Sequence, residues 1–198
     1  YVLPYTPFAF ACLADELAAS APHLDVYLHT YLVGIETGAG RVEAVRVATW
    51  ERVVELSARA VVDASGDAVV AHLAGVATVT APLRERQLPS LVFVLQHVDT
   101  EALGAGPRVA LLRSLVTAEQ EGRLPKGAAN LVLARSRQPG EVVCKLTLSG
   151  IAEELPPSRD FLTVAEQEGR QRAFAVTEFL KTLPAFARGA RVCDARRR

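Results

Sequence analysis

Hydrophobic and polar positions change period several times along the chain, and each change predicts an element. Thr6 is suited to cap a helix and Pro7 to open it, since proline has no N–H to leave unsatisfied in the first turn. Leu13 and Leu17 carry an apolar stripe onward, so a helix is predicted from Pro7 to about Ser20, stopping near Ala21-Pro22. Asp25 to Thr30 is rich in β-formers, and Tyr31 to Glu36 continues the run. Gly38-Ala39-Gly40 reads as a turn. Arg41 to Val47 then alternates polar and apolar with period two, as does Glu51 to Ala58, the mark of half-solvated strands. Together these predict a β-meander. Ala60-Val61-Val62-Asp63-Ala64 is a short apolar run of the kind that forms a strand buried on both faces. Ser65-Gly66-Asp67 breaks it, and Ala68 to Ala74 is helical, with Val69, Val70 and Leu73 on one face and Gly75 as its stop.

Pro82 and Pro89 bracket a polar stretch that reads as a domain crossing. Leu91 to Leu95 predicts a strand. Pro107 to Glu121 predicts an amphipathic helix with Val109, Leu112, Leu115 and Val116 facing inward. Asn130 to Ser136 and Glu141 to Leu148 flank the hairpin signal Gln138-Pro139-Gly140. The clearest helix comes last. Thr163-Val164-Ala165-Glu166 has the form of a capping box. Glu166/Arg170 and Glu168/Arg172 are i,i+4 pairs expected on the wet face, opposite Phe174, Val176, Phe179, Leu180 and Leu183. Pro184 ends it. Gly169 inside that helix costs about 1 kcal/mol against Ala, which points to close packing against another backbone.

Composition narrows the classes. Half of the 198 residues are hydrophobic, and 22 basic residues balance 22 acidic ones. That balance argues against a generic nucleic-acid binder, and no apolar run reaches the roughly 18–20 residues of a membrane span. Tyr1 to Phe10 has no basic segment and two prolines, so it does not read as a signal peptide. Methionine is absent, and the abrupt Tyr1 start predicts a fragment or a processed chain. Three widely spaced cysteines, Cys12, Cys144 and Cys193, fit neither a disulfide scaffold nor a zinc site, so a reducing, cytoplasmic setting is expected. The histidines His23, His29, His72 and His97 have no metal-type spacing.

Chemistry concentrates at Val61-Val62-Asp63-Ala64-Ser65-Gly66-Asp67. A strand delivering the chain to a sheet edge, a glycine that lets a ligand approach the backbone, and free N–H groups at a helix start make a binding turn. Ser65 and Asp67 are its candidate caps. Asp67 would repel a phosphate, so a hydroxyl-bearing part of a ligand suits the turn better. A plain capped strand-to-helix turn is the commoner arrangement on physics alone. His29 and His97, at predicted strand ends, could face a ligand but more often such residues are structural. Arg135 and Arg137 could grip an acidic substrate, although a solvated strand face is the simpler reading. Cys12 and Cys144 read as buried small hydrophobes, and Asp63 and Asp67 do not make an acid/base pair.

The stretch Val61 to Gly75 resembles the "VIDATGDGDVAALAG" segment of a family of FAD-dependent oxidoreductases, of the two-dinucleotide-binding flavoprotein class related to glutathione reductase and fumarate reductase flavoproteins. Other segments agree in order. Tyr5 to Phe10 resembles "YDPEAF", Asp25 to Thr30 "VELLLHT", and Leu162 to Gln171 "LTRAEIEGRRQ". Leu88 to Phe93 with Val98-Asp99 resembles the strand into the second domain, and Pro184-Ala185-Phe186 resembles "PGF". The resemblance covers most of the chain. It implies an α/β fold, α+β in its second part: an incomplete Rossmann-type FAD-binding domain over 1–82, substrate or cap-domain strands and helix over 83–157, and a long helix with a return to the FAD domain over 158–198. It implies FAD as cofactor, with Ala64, Ser65, Gly66 and Asp67 close to it and the backbone of Val33 at the adenine, and it implies a small-molecule substrate.

Two family features are not found in the chain. No GxGxxG follows a strand and opens a helix: Gly38-Ala39-Gly40 leads into a strand, and Gly104-Ala105-Gly106 has Val109 at its third glycine position. The flavin-contacting segment after a "GVRESRR"-like motif is not found beyond Asp194-Ala195-Arg196-Arg197-Arg198. The expectation is weak FAD binding, or none, by the isolated chain, and no residue is a defensible catalytic acid or base. Two alternatives stay open: an orphan fragment or interaction module without flavin, and another enzyme class using Ser65-Gly66-Asp67 for a sugar or nucleotide.

Overall fold

The computed structural model describes residues 6–82, 85–150, 159–187 and 189–192. They form two compact units, Tyr1–Thr80 and Ala81–Arg198. Helices are mixed with two antiparallel sheets, in keeping with the expected α/β class.

The first unit contains α1 (Pro7–Ser20), β1 (Tyr31–Gly38), β2 (Arg41–Ala48), β3 (Val53–Ser57) and α2 (Val69–Leu73). Helix α1 starts and stops where proline placement predicts. The Thr6 hydroxyl makes no capping bond, however; its carbonyl accepts the Phe10 N–H. Leu13 and Leu17 stay exposed. The three strands pair antiparallel in the order β1-β2-β3, the expected meander. Ala39 and Gly40, with φ of 50° and 76°, make the two-residue turn between β1 and β2. Positive φ at both positions matches the strands' twist, which is why a glycine belongs there.

Two predicted strands of this unit do not form. Asp25 to Thr30 is irregular and turns at Leu28-His29, because β2 ends at Ala48, opposite Tyr31, and offers earlier residues no partner. Ala60 to Ala64 is also irregular, and Val62 is 87% exposed. A strand needs a neighbour's backbone on at least one side, and among the described residues none runs beside this segment. Ala44 is the one buried hydrophobic residue described in this unit.

The second unit contains β4 (Ser90–Gln96), α3 (Ala105–Gln120), β5 (Leu131–Arg135), β6 (Val142–Thr147), α4 (Arg159–Leu180), a 3₁₀ turn (Pro184–Phe186) and β7 (Arg191–Val192). Its sheet has the order β5-β6-β4-β7, antiparallel throughout. Phe93 faces Cys144, which faces Leu133; Leu91 faces Leu146, which faces Leu131. This inner face packs with Leu111, Leu115 and Ala118 of α3, Phe161, Ala165, Ala173, Val176 and Leu180 of α4, and Phe186.

Both helices of this core differ in detail from expectation. In α3 the buried stripe is Leu111, Leu115 and Ala118, while Val109, Leu112 and Val116 are exposed. Both stripes satisfy helical spacing, so periodicity could not choose between them. Helix α4 begins at Arg159, which places Thr163 inside it rather than at a cap. Phe174 is 61% exposed, and Arg172 is buried rather than wet. Gly169 does mark close packing, but against side chains. A Cβ there would lie 3.1 Å from Leu148 Cδ1 and 3.7 Å from Leu91 Cβ. Arg196-Arg197-Arg198 lies outside the described residues.

Leu115→Ala should destabilise the second unit by about 2–5 kcal/mol, and Leu112→Ala by less than about 1 kcal/mol, read from urea midpoints of that unit. Equal losses would reverse the assignment of faces. Gly169→Val should cost roughly 1–3 kcal/mol by overpacking against Leu148.

Candidate functional site

The predicted binding turn is organised by Asp63. One carboxylate oxygen accepts the Ser65 N–H at 3.0 Å and the Ser65 hydroxyl at 2.6 Å. The other accepts the Ala71 N–H of α2 at 3.1 Å. Ser65 Oγ in turn accepts the Val69 N–H at 3.0 Å. Asp63 and Ser65 thus satisfy the first turn of α2, and the expected cap Asp67 takes no such part. The Ser65 hydroxyl, followed by the Ser65 and Ala71 amides, holds the Asp63 carboxyl below the usual aspartate range. Each of these bonds favours the charged form.

The far end of α2 closes as Gly75 predicts. Gly75 has φ of 74°, its N–H reaches the His72 carbonyl, and the Val76 N–H reaches the Ala71 carbonyl. This double closure is the Schellman arrangement. Short as it is, α2 is fastened at both ends, and it packs against β1.

Between these fastenings the chain is open. Gly66 has φ of 81°, and a Cβ at that position would meet nothing within 4 Å. Among the described residues, the N–H groups of Gly66 and Asp67 donate no hydrogen bond. Ala64, Ser65, Gly66 and Asp67 are all exposed. Val33 lies on β1, an edge strand, at a break in register: Leu32 pairs with Val47 and Gly34 with Arg46, so Val33 is the extra residue of a bulge. An edge strand keeps half of its backbone groups free, and a bulge loosens them further. The first unit therefore brings an unpaired strand edge and a donor-bearing turn onto elements that touch. Both can pair with hydroxyl, amide or ring-nitrogen groups, while the Asp67 carboxylate weighs against a phosphate at the turn.

The other candidates are scattered. His29, with φ of 52°, lines an open depression of about 450 Å³ with Tyr27, Trp50 and Arg52. His97, with φ of 61°, lines a separate cavity in the second unit. Arg135 sits 3.7 Å from Glu101, exposed, which contributes little. Cys144 is fully buried, and burial pushes its thiol up to about 12. Cys12 is half-buried, and Cys193 lies outside the described residues. No three His, Cys, Asp or Glu residues gather in a metal-binding group among the described residues. No helix among them is long and apolar enough to cross a membrane.

The chain belongs to the FAD dependent oxidoreductase family, whose model matches residues 2–194. That family binds FAD. No curated protein and no solved structure matches the chain.

Asp63 was missed as the organising residue, although Asp-x-Ser is the spacing of an Asx turn. Because its carboxyl is held below the ordinary aspartate value, the turn's stabilisation is present above that value and is lost as pH falls through the lowered one. Asp63→Asn should shift the Ser65 and Ala71 amide signals in NMR spectra and speed their hydrogen exchange, with Asp67→Asn leaving both unchanged. Cys144 should resist thiol reagents at pH values below about 9 in the folded chain and react only on unfolding.

Proposed function

We propose that the first unit contributes a Rossmann-type FAD-binding surface and the second a substrate or cap domain. The supporting observation is the pairing of an open turn at Gly66-Asp67 with the bulged edge strand at Val33, on elements in contact. Val33 would hold the adenine through its backbone. Ala64, Ser65, Gly66 and Asp67 would lie along a hydroxyl-bearing part of the cofactor, with Ser65 oriented by Asp63. When bound, FAD supplies the electron or hydride transfer; the protein binds and orients it.

The substrate is a small molecule in this reading, and no nucleic acid takes part, since basic and acidic residues balance. The free thiols of Cys12 and Cys144 suit a cytoplasmic setting. With no GxGxxG segment to seat the pyrophosphate, binding by this chain is weak.

Adding FAD to the isotope-labelled chain should shift the amide signals of Val33, Gly66 and Asp67 and leave those of β5 and β6 in place. Gly66→Ala, which places a side chain at φ of 81°, should weaken that response by about tenfold or more. Shifts confined to other residues, or none at saturating FAD, would count against this placement.

A further inference from the structure

One end of the second unit's sheet carries a row of polar side chains across three strands. Gln96 on β4 pairs with Arg191 on β7. The next strand on its other side brings Glu141, one residue before Val142, which pairs with Leu95. Cross-strand neighbours share a face, and Leu95, Val142 and Val192 occupy the inner one. Glu141, Gln96 and Arg191 therefore stand together on the outer face. With strands about 4.8 Å apart, the two charged residues have backbones roughly 10 Å from each other.

This row, with His97, Gln138, Pro139 and Gly140, lines a cavity of about 410 Å³. Glu141 is fixed in it: Gln96 Nε2 donates to one carboxylate oxygen at 2.8 Å and Ser136 Oγ to the other at 3.4 Å. Both donors are neutral, so neither forms an ion pair with the carboxylate. Among the described residues Arg191 forms no ion pair with Glu141 or any other group. A cation and an anion thus face one cavity and are held apart by the glutamine between them. His97, with φ of 61°, adds a ring at the wall. The adjoining row on the same outer face is apolar and part-exposed, Val94 opposite Val143.

We propose that this cavity binds a small zwitterion, an α-amino acid with an apolar side chain. Arg191 takes the carboxylate and Glu141 the ammonium, while the side chain extends out of the cavity onto the adjoining outer-face pair Val94 and Val143. A simple anion gains from Arg191 but meets Glu141, and a simple cation meets the reverse; only a ligand carrying both charges is attracted at each end. The volume is of the size small-ligand sites use. The site lies within the second unit and does not depend on FAD binding.

The test uses the full chain and three probes: L-leucine, isocaproate, which lacks its amino group, and isoamylamine, which lacks its carboxylate. Leucine should shift the His97 and Gly140 signals and the Gln96 side-chain amide in NMR titrations. Each single-charge analogue should bind about tenfold or more weaker, since each forfeits a charge-assisted hydrogen bond. Glu141→Gln should remove the preference for leucine over isocaproate, and Arg191→Gln the preference over isoamylamine. Equal binding of leucine and isocaproate by the unmodified chain would overturn the proposal, leaving an anion patch at Arg191. The absence of shifts at these residues with millimolar leucine would overturn it as well.

Discussion

Alternation along β4 and β6 sends Leu91, Phe93 and Leu95 to the same face as Val142, Cys144 and Leu146, and the second unit is assembled against that face. A helix as long as α4 can lie on it only where its surface is low. Gly169 supplies that low point over Leu148 and Leu91. Ala165, one turn before the glycine, and Ala173 and Val176, one and two turns after it, then enter the same layer. Each large aliphatic side chain fully buried there stabilises by about 1.5–3 kcal/mol. Arg172 follows from the same approach. Buried by the docking of α4, its guanidinium is satisfied by Glu168 at 3.0 Å and by the Ser149 carbonyl, to which it donates at 2.8 Å. Unlike the surface pair of Glu166 and Arg170, it cannot be relieved by solvent, so loss of its partners would leave a buried charge.

The first unit works on a different principle. Its described residues bury little beyond Ala44, so packing does not hold the segment from Asp63 to Val76 in place. Local hydrogen bonds do that instead. Asp63 and Ser65 close the front of α2, and the Gly75 turn closes its back. A turn defined by its own side chains can leave neighbouring amides free. That is what Gly66 and Asp67 show.

Sequence reading succeeded where structure is decided locally. Pro7 and Ala21-Pro22 delimit α1, Ala39-Gly40 and Pro139-Gly140 close hairpins, and Gly75 ends α2, because each depends on backbone preferences of a few residues. It failed where a distant partner decides. The apolar run Ala60 to Ala64 carries no information on whether a strand lies beside it, and Asp25 to Thr30 runs past the end of β2. The two stripes of α3 are equivalent on a helical wheel, and only the position of the sheet distinguishes Leu111 from Leu112. For the site, family resemblance pointed to Ser65 and Gly66, whereas the bonds that orient them belong to Asp63. The sequence places Asp63 in the same motif and excludes it as an acid/base partner of Asp67, but does not reveal it as the residue that orients the turn.

Among the described residues, neither unit gathers the groups that acid–base or nucleophilic catalysis requires. Cys144 is buried with its thiol pushed up to about 12, and Asp63 is committed to three donors. His29 and His97 line different cavities, one in each unit. In a family whose members bind FAD, the cofactor carries the hard chemistry and the polypeptide binds and orients it. Two polar features of the described residues are holding devices. The Asp63 turn leaves donors exposed for a ligand to use, and the row of Glu141, Gln96 and Arg191 keeps two opposite charges from neutralising each other. In the first case the protein withholds a hydrogen bond, and in the second an ion pair. An interaction left unmade inside the folded chain is one that a bound molecule can complete.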